Sequence, residues 1–310
     1  MGATVVQSAA ADRLLTEDVA LVDRSERGKL ALTGPQAKEL LSGQVTIDID
    51  ALTPGGGCYA ALLTNKGKML ADLRVLDTAT ELWLDTERAG LQALFDTLRR
   101  GAVGWQAQLH KRTLEQALLS LIGPHAAQAA GADLGPEHAN RRVQLGGADV
   151  LLVATDLGVD VVCAADDADR VRGALDVPAV PEAAAEVLRV ESGRPRYGLD
   201  LDDATIPQEA GLNDRAVSFT KGCYVGQETV ARLHYRGKPN RHLRGLRLSA
   251  PVATGTPLVL GEREVGRVGS SVVSPRFGPI ALAIVRREAG VGDELAAGSA
   301  VAVVAELPFA

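Results

Sequence analysis

Aromatic side chains are scarce: 3% of the 310 residues are Phe, Trp or Tyr, although 46% are hydrophobic. A core must therefore be assembled from Leu, Val, Ala and Ile. Cysteine is scarcer still. Cys58, Cys163 and Cys223 are far apart, odd in number and form no CxxC, which argues against a disulfide framework. An iron–sulfur cluster usually takes four thiolates, more than this chain holds. The five histidines, His110, His125, His138, His234 and His242, form no HxH or HExxH and no Cys/His pair at zinc spacing, so no metal is expected. No apolar run approaches the ~18 residues of a membrane span. The segment Met1–Ala11 lacks a basic stretch followed by an apolar one, so neither a signal peptide nor a membrane partner is expected, and the expected location is the cytoplasm. Positive charge is not in excess either. With 33 Lys and Arg against 39 Asp and Glu, the net charge is −6, and nucleic acid would have to be held by a local patch.

The length suggests two or three domains with a sizeable core. Leu30–Leu32 reads as a strand, followed by a helix opened by Gly34-Pro35 and closed by Gly43. Pro54-Gly55-Gly56-Gly57 reads as a turn; no GK[ST] follows, which argues against a phosphate loop. Cys58–Thr64 and Met69–Leu76 flank Asn65-Lys66-Gly67-Lys68, a hairpin signal. Leu82–Leu84 continues that sheet, and Gly90–Arg100 has helical spacing. A second block repeats the theme: strand Leu114–Ile122, a hairpin of Val150–Ala154 and Gly158–Cys163, and helix Asp166–Leu175. A further helix runs over Pro181–Glu191. From Ala231 onward, short strands alternate with Gly- and Pro-rich turns: Leu243–Leu248, Pro257–Leu260, Val265–Val273, Ile280–Val285 and Ala300–Val304. That pattern suits a small β-barrel, with no visible aromatic platform for bases. The expected fold class is α+β: two intertwined α+β subdomains over residues 1–240, then a C-terminal β-barrel over 241–310. Trp83 and Trp105 read as core or edge residues.

Lys221-Gly222-Cys223-Tyr224-Val225-Gly226-Gln227-Glu228 is the most pointed string. Gly222 and Gly226 allow positive φ or close approach. A lysine near a thiol raises its thiolate fraction, while Gln227 and Glu228 can tie the loop down. A buried cysteine in a glycine-punctuated turn accounts for the same residues. Glu191 ends the Pro181–Glu191 helix, where a carboxylate opposes the helix dipole and requires Arg189, Arg194 or a ligand donor as partner. Between Glu228 and Glu262 the chain has no acidic residue but carries Arg232, Arg236, Lys238, Arg241, Arg244 and Arg247. This basic run suits RNA, an anionic ligand tail or an acidic partner, and equally the protection of a strand edge.

Lys221–Arg232 and the following LHYRGKPNRHL resemble the signature of the YgfZ-type folate-binding proteins, relatives of the glycine-cleavage T-protein (aminomethyltransferase) that serve iron–sulfur enzymes. Arg189–Gly198 is similar to the LEAG-type segment of that superfamily, Thr205–Glu209 to its IPxE element, and Thr64–Arg74 to its first hairpin. Where T-proteins carry adjacent aspartates, this chain reads Ala71-Asp72. T-proteins have an acidic or neutral residue where Cys223 stands. The resemblance implies a tetrahydrofolate cofactor bound between three domains, with Glu191, Tyr197, Asp72, Tyr224 and Gln227 as contacts. It implies Cys223, poised by Lys221, and Asp72 as the chemically active groups. It further implies a role in assembly or repair of iron–sulfur client enzymes, transfer-RNA-modifying ones included. The alternative it offers is a folate-dependent aminomethyl- or methyltransferase in which Asp72 serves alone.

Overall fold

The computed structural model describes residues 9–310. The chain runs α1 (Ala9–Glu17), β1 (Ala20–Asp23), β2 (Gly28–Thr33), α2 (Ala37–Ser42), β3 (Gly57–Leu63), β4 (Met69–Asp77), β5 (Leu82–Thr86), α3 (Arg88–Gly101) and β6 (Gln108–Lys111). It continues with β7 (Gln116–Ile122), α4 (Ala126–Ala129), β8 (Asn140–Leu145), β9 (Ala148–Ala154), β10 (Gly158–Ala164), α5 (Ala168–Leu175), α6 (Glu182–Glu191), α7 (Asn213–Ala216) and α8 (Gln227–Arg236). The last strands are β11 (Arg241–Leu248), β12 (Pro257–Leu260), β13 (Arg263–Ser274), β14 (Gly278–Arg286), β15 (Glu294–Ala297) and β16 (Ala300–Ala305).

Two antiparallel five-stranded sheets form the first two layers, in the orders β3-β4-β5-β2-β6 and β1-β7-β10-β9-β8. They are intertwined because β1 precedes every strand of the first sheet yet pairs with β7 of the second, Ala20 opposite Ile122. The hairpin of β3 and β4 turns at Asn65–Gly67, with Gly67 at φ 74°, as the Asn-Lys-Gly sequence requires. On one face of the first sheet, Leu30, Leu32, Leu62, Leu73 and Leu84 pack against Leu94 and Leu98 of α3. Its other face meets the second sheet through Leu76 and Trp83 against Leu118, Leu151, Val153 and Val162. Trp83 is buried and satisfies its indole N–H on Gln116 at 2.8 Å. Arg74 also crosses this boundary, pairing with Asp85 of its own sheet and Asp160 of the other.

The six remaining strands close into a barrel, β11-β14-β13-β12-β15-β16, filled by Leu, Val and Ala. The barrel is held to the sheets by α6. Val190 packs with Ile280, Leu282 and Phe309, and Arg189 pairs with Asp200 at 3.0 Å and reaches Ser270. Two local expectations change. The barrel contains β15, whose Glu-Leu-Ala-Ala sequence carries no β-branched residue. The stretch after Ala231 stays helical to Arg236, so His234 lies on α8 and only His242 lies on a strand. The helix-closing Gly43 has φ −72° and needs no glycine-specific conformation. Among the described residues, no helix is long and apolar enough to cross a membrane.

Candidate functional site at the junction of the sheets

The two sheets and the chain leaving α6 enclose a cavity of about 180 Å³. Its wall holds seven arginines and six carboxylates, so electrostatic pairing decides which groups remain available to a ligand. Most are mutually neutralised. Asp85 is fully buried between Arg27 at 2.7 Å and Arg74 at 2.5 Å. Burial alone would raise its pKa, but the two guanidiniums overcome it and hold the carboxyl down at about 2. Arg194 joins Glu137 at 2.9 Å and Asp156 at 2.7 Å. Arg215 reaches the same Glu137 at 3.1 Å while lying over the ring of Tyr59, 5.1 Å from its centroid.

Asp72 is the exception. It is buried at the cavity wall, and among the described residues no cation lies within ion-pair distance of it. Its one side-chain partner is the Tyr59 hydroxyl, which donates to Oδ2 at 2.6 Å. Burial raises the Asp72 pKa to about 6, against the opposing pull of the Tyr59 hydrogen bond. The same burial, with the Asp72 charge beside it, pushes the Tyr59 hydroxyl well above its ordinary range. The pair therefore combines a carboxyl that titrates near neutrality with a neutral phenol, a set able to accept a ligand N–H and to move a proton. Tyr197 is half-buried, packs in the same cluster as Tyr59, and has its hydroxyl raised by burial and by the Asp203 and Asp72 charges.

The other expected residues stand elsewhere. Glu191 is buried at the end of α6 and accepts from Ser274 Oγ at 2.5 Å and from Arg276, both of the barrel. The helix-end carboxylate thus has its cation, but from neither Arg189 nor Arg194, and it faces a second hollow lined by Leu15, Thr16 and Leu188. Tyr224 is a core residue beside Ala61, Leu63 and Met69. Gln227 opens α8. Lys221 Nζ donates to the backbone carbonyls of Ser42, Val45 and Ile47 at 2.5, 2.9 and 2.8 Å. Its three protons are thereby used in anchoring the loop, and burial lowers its pKa. Cys223 is exposed and is not part of the cavity wall, whereas Cys163 is buried and the Cys58 thiol is pushed up to about 12 by burial.

Cys223 lies four residues beyond Phe219, which stacks on His234 of α8 with ring centroids 3.7 Å apart. Tyr235, 68% exposed, meets His234 edge-on. Arg232, Arg236 and Lys238 are exposed nearby, with no ion pair among the described residues. The basic run is divided: Arg241 is committed to Glu209 at 2.8 Å, Arg244 approaches Glu306 at 3.7 Å, and Arg247 lies over Phe277 and Phe309. Tyr59, Glu137, His138 and Asp156 were not singled out in the sequence, because their roles arise from contacts between distant strands. Thr155, Asp156 and Leu157, the turn between β9 and β10, form part of the cavity wall.

The arrangement of two interleaved sheets and a barrel around a polar cavity has counterparts of known sequence and structure. The GCVT N-terminal domain family matches residues 6–221. The tRNA-modifying protein YgfZ of Colwellia psychrerythraea is 27% identical over 229 residues, 72% of this chain and 70% of that protein. The aminomethyltransferase of Streptomyces coelicolor is 31% identical over 292 residues, covering 86% and 77%. The crystal structure of the glycine cleavage system aminomethyltransferase T from Bartonella henselae superposes with a TM-score of 0.85 at 25% identity, over 97% of this chain and 89% of that one. The chain belongs to the GCVT family and has the three-part T-protein fold, as a YgfZ-type member of that superfamily.

Proposed function

We propose that this protein binds a reduced folate in the cavity between the sheets and acts as an accessory factor in assembly or repair of iron–sulfur enzymes, transfer-RNA-modifying ones among them. The observation that carries the ligand part is the unpaired, buried Asp72 beside Tyr59 in a wall of otherwise neutralised charges. A carboxylate at this position accepts the N–H groups of a heterocycle, and Tyr197 extends the polar rim. The donor set fits a folate, which when bound supplies a one-carbon carrier. The cavity, at about 180 Å³, is smaller than the ~300–1,000 Å³ of sites that take drug-sized ligands, so one ring system enters and the rest of the molecule projects outward.

The accessory part rests on Cys223. Its thiol is exposed and lies outside the cavity, and the helix that follows its loop, α8, exposes Arg232, Tyr235 and Arg236, residue types that concentrate binding energy in protein interfaces. Such a thiol is presented to a partner, not to the bound ligand. The second reading, an aminomethyltransferase, draws on Asp72, whose carboxyl near pH 6 can exchange a proton with an amine. Ala71 in place of a second aspartate speaks against it.

The two readings separate by variant. Cys223→Ser is expected to bind tetrahydrofolate normally and to fail in an iron–sulfur enzyme maturation assay. Aminomethyl transfer that survives Cys223→Ser and is lost in Asp72→Asn would assign the protein to the transferases instead.

A further inference from the structure

Of the Phe, Trp and Tyr side chains among the described residues, only Tyr235 is exposed, at 68%. It stands on α8, between Arg232 and Arg236. Residues at i, i+3 and i+4 share one helix face, so the ring lies beside two guanidiniums, on the side away from the buried Val230. Both arginines are exposed, as are Lys238 just past the helix and Lys66 at the tip of the β3–β4 hairpin. None of these four cations has an ion pair among the described residues. The hairpin tip meets the same helix: a Cβ on Gly67 would lie 2.9 Å from Cβ of Thr229, in the first turn of α8. The helix carries one acidic residue, Glu228, and no other follows before Glu262.

The exposed ring is anchored. His234 stacks on Phe219 with centroids 3.7 Å apart and an interplanar angle of 17°. Tyr235 stands at 82° to His234 and at 73° to Phe219. Phe219 packs in turn on the core cluster that holds Tyr224 and Val230. No ring lies parallel to Tyr235, so it is free to stack on a flat partner. An exposed ring set among unpaired cations is the chemistry of a single-strand nucleic-acid site: the cations take phosphates and the ring takes a base. A duplex hides its base faces and an acidic peptide has none, so the ring favours an unpaired strand over both. In a chain of net charge −6, this face is the local patch that nucleic acid requires.

We propose that the outer face of α8 binds an unpaired strand of RNA, with Tyr235 stacking on a base and Arg232, Arg236, Lys238 and Lys66 holding its phosphates. This deepens the accessory reading, and rests on it for the choice of RNA, the substrate of transfer-RNA-modifying enzymes, over DNA. The test is fluorescence anisotropy of a labelled, unstructured RNA of about 12 nucleotides titrated with the whole protein, without folate or client enzyme. The logarithm of the affinity is expected to fall with the logarithm of salt at a slope of about −2 to −3, roughly 0.7 for each of three or four phosphates. Tyr235→Ala is expected to bind at least about fivefold more weakly at an unchanged slope, and Arg236→Gln to reduce the slope by about 0.7. Arg170→Gln, at an exposed arginine of α5 paired with Asp167, is expected to change neither. No binding by the folded wild type at low salt, equal binding by Tyr235→Ala, or tighter binding of DNA of the same sequence overturns the inference. Polyglutamate that displaces the RNA as well as unlabelled RNA does also overturns it, and assigns the face to an acidic protein. Each of these results leaves the accessory reading standing, because the Cys223→Ser maturation assay tests that reading separately.

Discussion

At the scale of single residues, the cavity is defined by which charges are left over. Arg27, Arg74, Arg194 and Arg215 are spent on Asp85, Asp160, Asp156 and Glu137, and Asp72 keeps only a phenol. That has a consequence for stability. The folded pKa of Asp72 is about 6, above the ~3.9 of an unfolded aspartate. The native state therefore holds the proton more tightly. The stabilising effect is complete below about pH 4 and is lost as pH rises through about 6. Asp72→Asn keeps an acceptor for Tyr59 and removes the buried charge. It is expected to be more stable than wild type at pH 7 by about 2–3 kcal/mol, the size of a two-unit shift, with the gain vanishing below pH 4. Urea denaturation of both proteins at pH 3.5 and 7 checks this. None of this pairing was legible in the sequence. Asp72 was visible through its hairpin, but Tyr59, Glu137 and His138 become site residues only when strands from two sheets meet.

At the scale of elements, the signature loop works differently from its appearance in the sequence. Its two glycines are not equivalent. Gly226 has φ 86°, and a Cβ there would lie 2.5 Å from the Thr64 carbonyl oxygen, so it lets the start of α8 dock on the hairpin of β3 and β4. Gly222 has no atom within 4 Å of where a Cβ would stand and no positive φ. Lys221 reads naturally as a thiol activator near a cysteine, yet the carbonyls of Ser42 at the end of α2 and of Val45 and Ile47 beyond it take its ammonium. The sequence shows neighbours along the chain, and that lysine's partners lie more than 170 residues away. Gly226→Ala is expected to destabilise this junction by more than the ~1 kcal/mol of a left-handed alanine, because the clash adds to it. Hydrogen exchange at 64–68 and 227–231 should quicken, with the barrel amides unchanged; Gly222→Ala should change neither.

At the scale of the whole molecule, five of the six barrel strands and both hairpins were readable because each is bounded by turn residues and filled by Val, Leu and Ala, while β15 lacks any β-branched residue. The pairing of β1 with β7 was not, since it joins segments about a hundred residues apart and leaves no local mark. That pairing interleaves the sheets, and the interleaving brings Asp72 and His138 to one cavity while sending Cys223 to the outside. The cavity at Asp72 and the exposed Cys223 thiol are thus separate places in the fold. The proposal that a reduced folate occupies the cavity at Asp72 is tested by calorimetric titration of tetrahydrofolate into wild type, Asp72→Ala and Glu191→Ala. Binding by the wild type is expected, with at least tenfold weaker binding by Asp72→Ala and little change in Glu191→Ala, whose carboxylate is already committed to Ser274 and Arg276. No binding by the folded wild type, or loss in Glu191→Ala with Asp72→Ala unaffected, would contradict it.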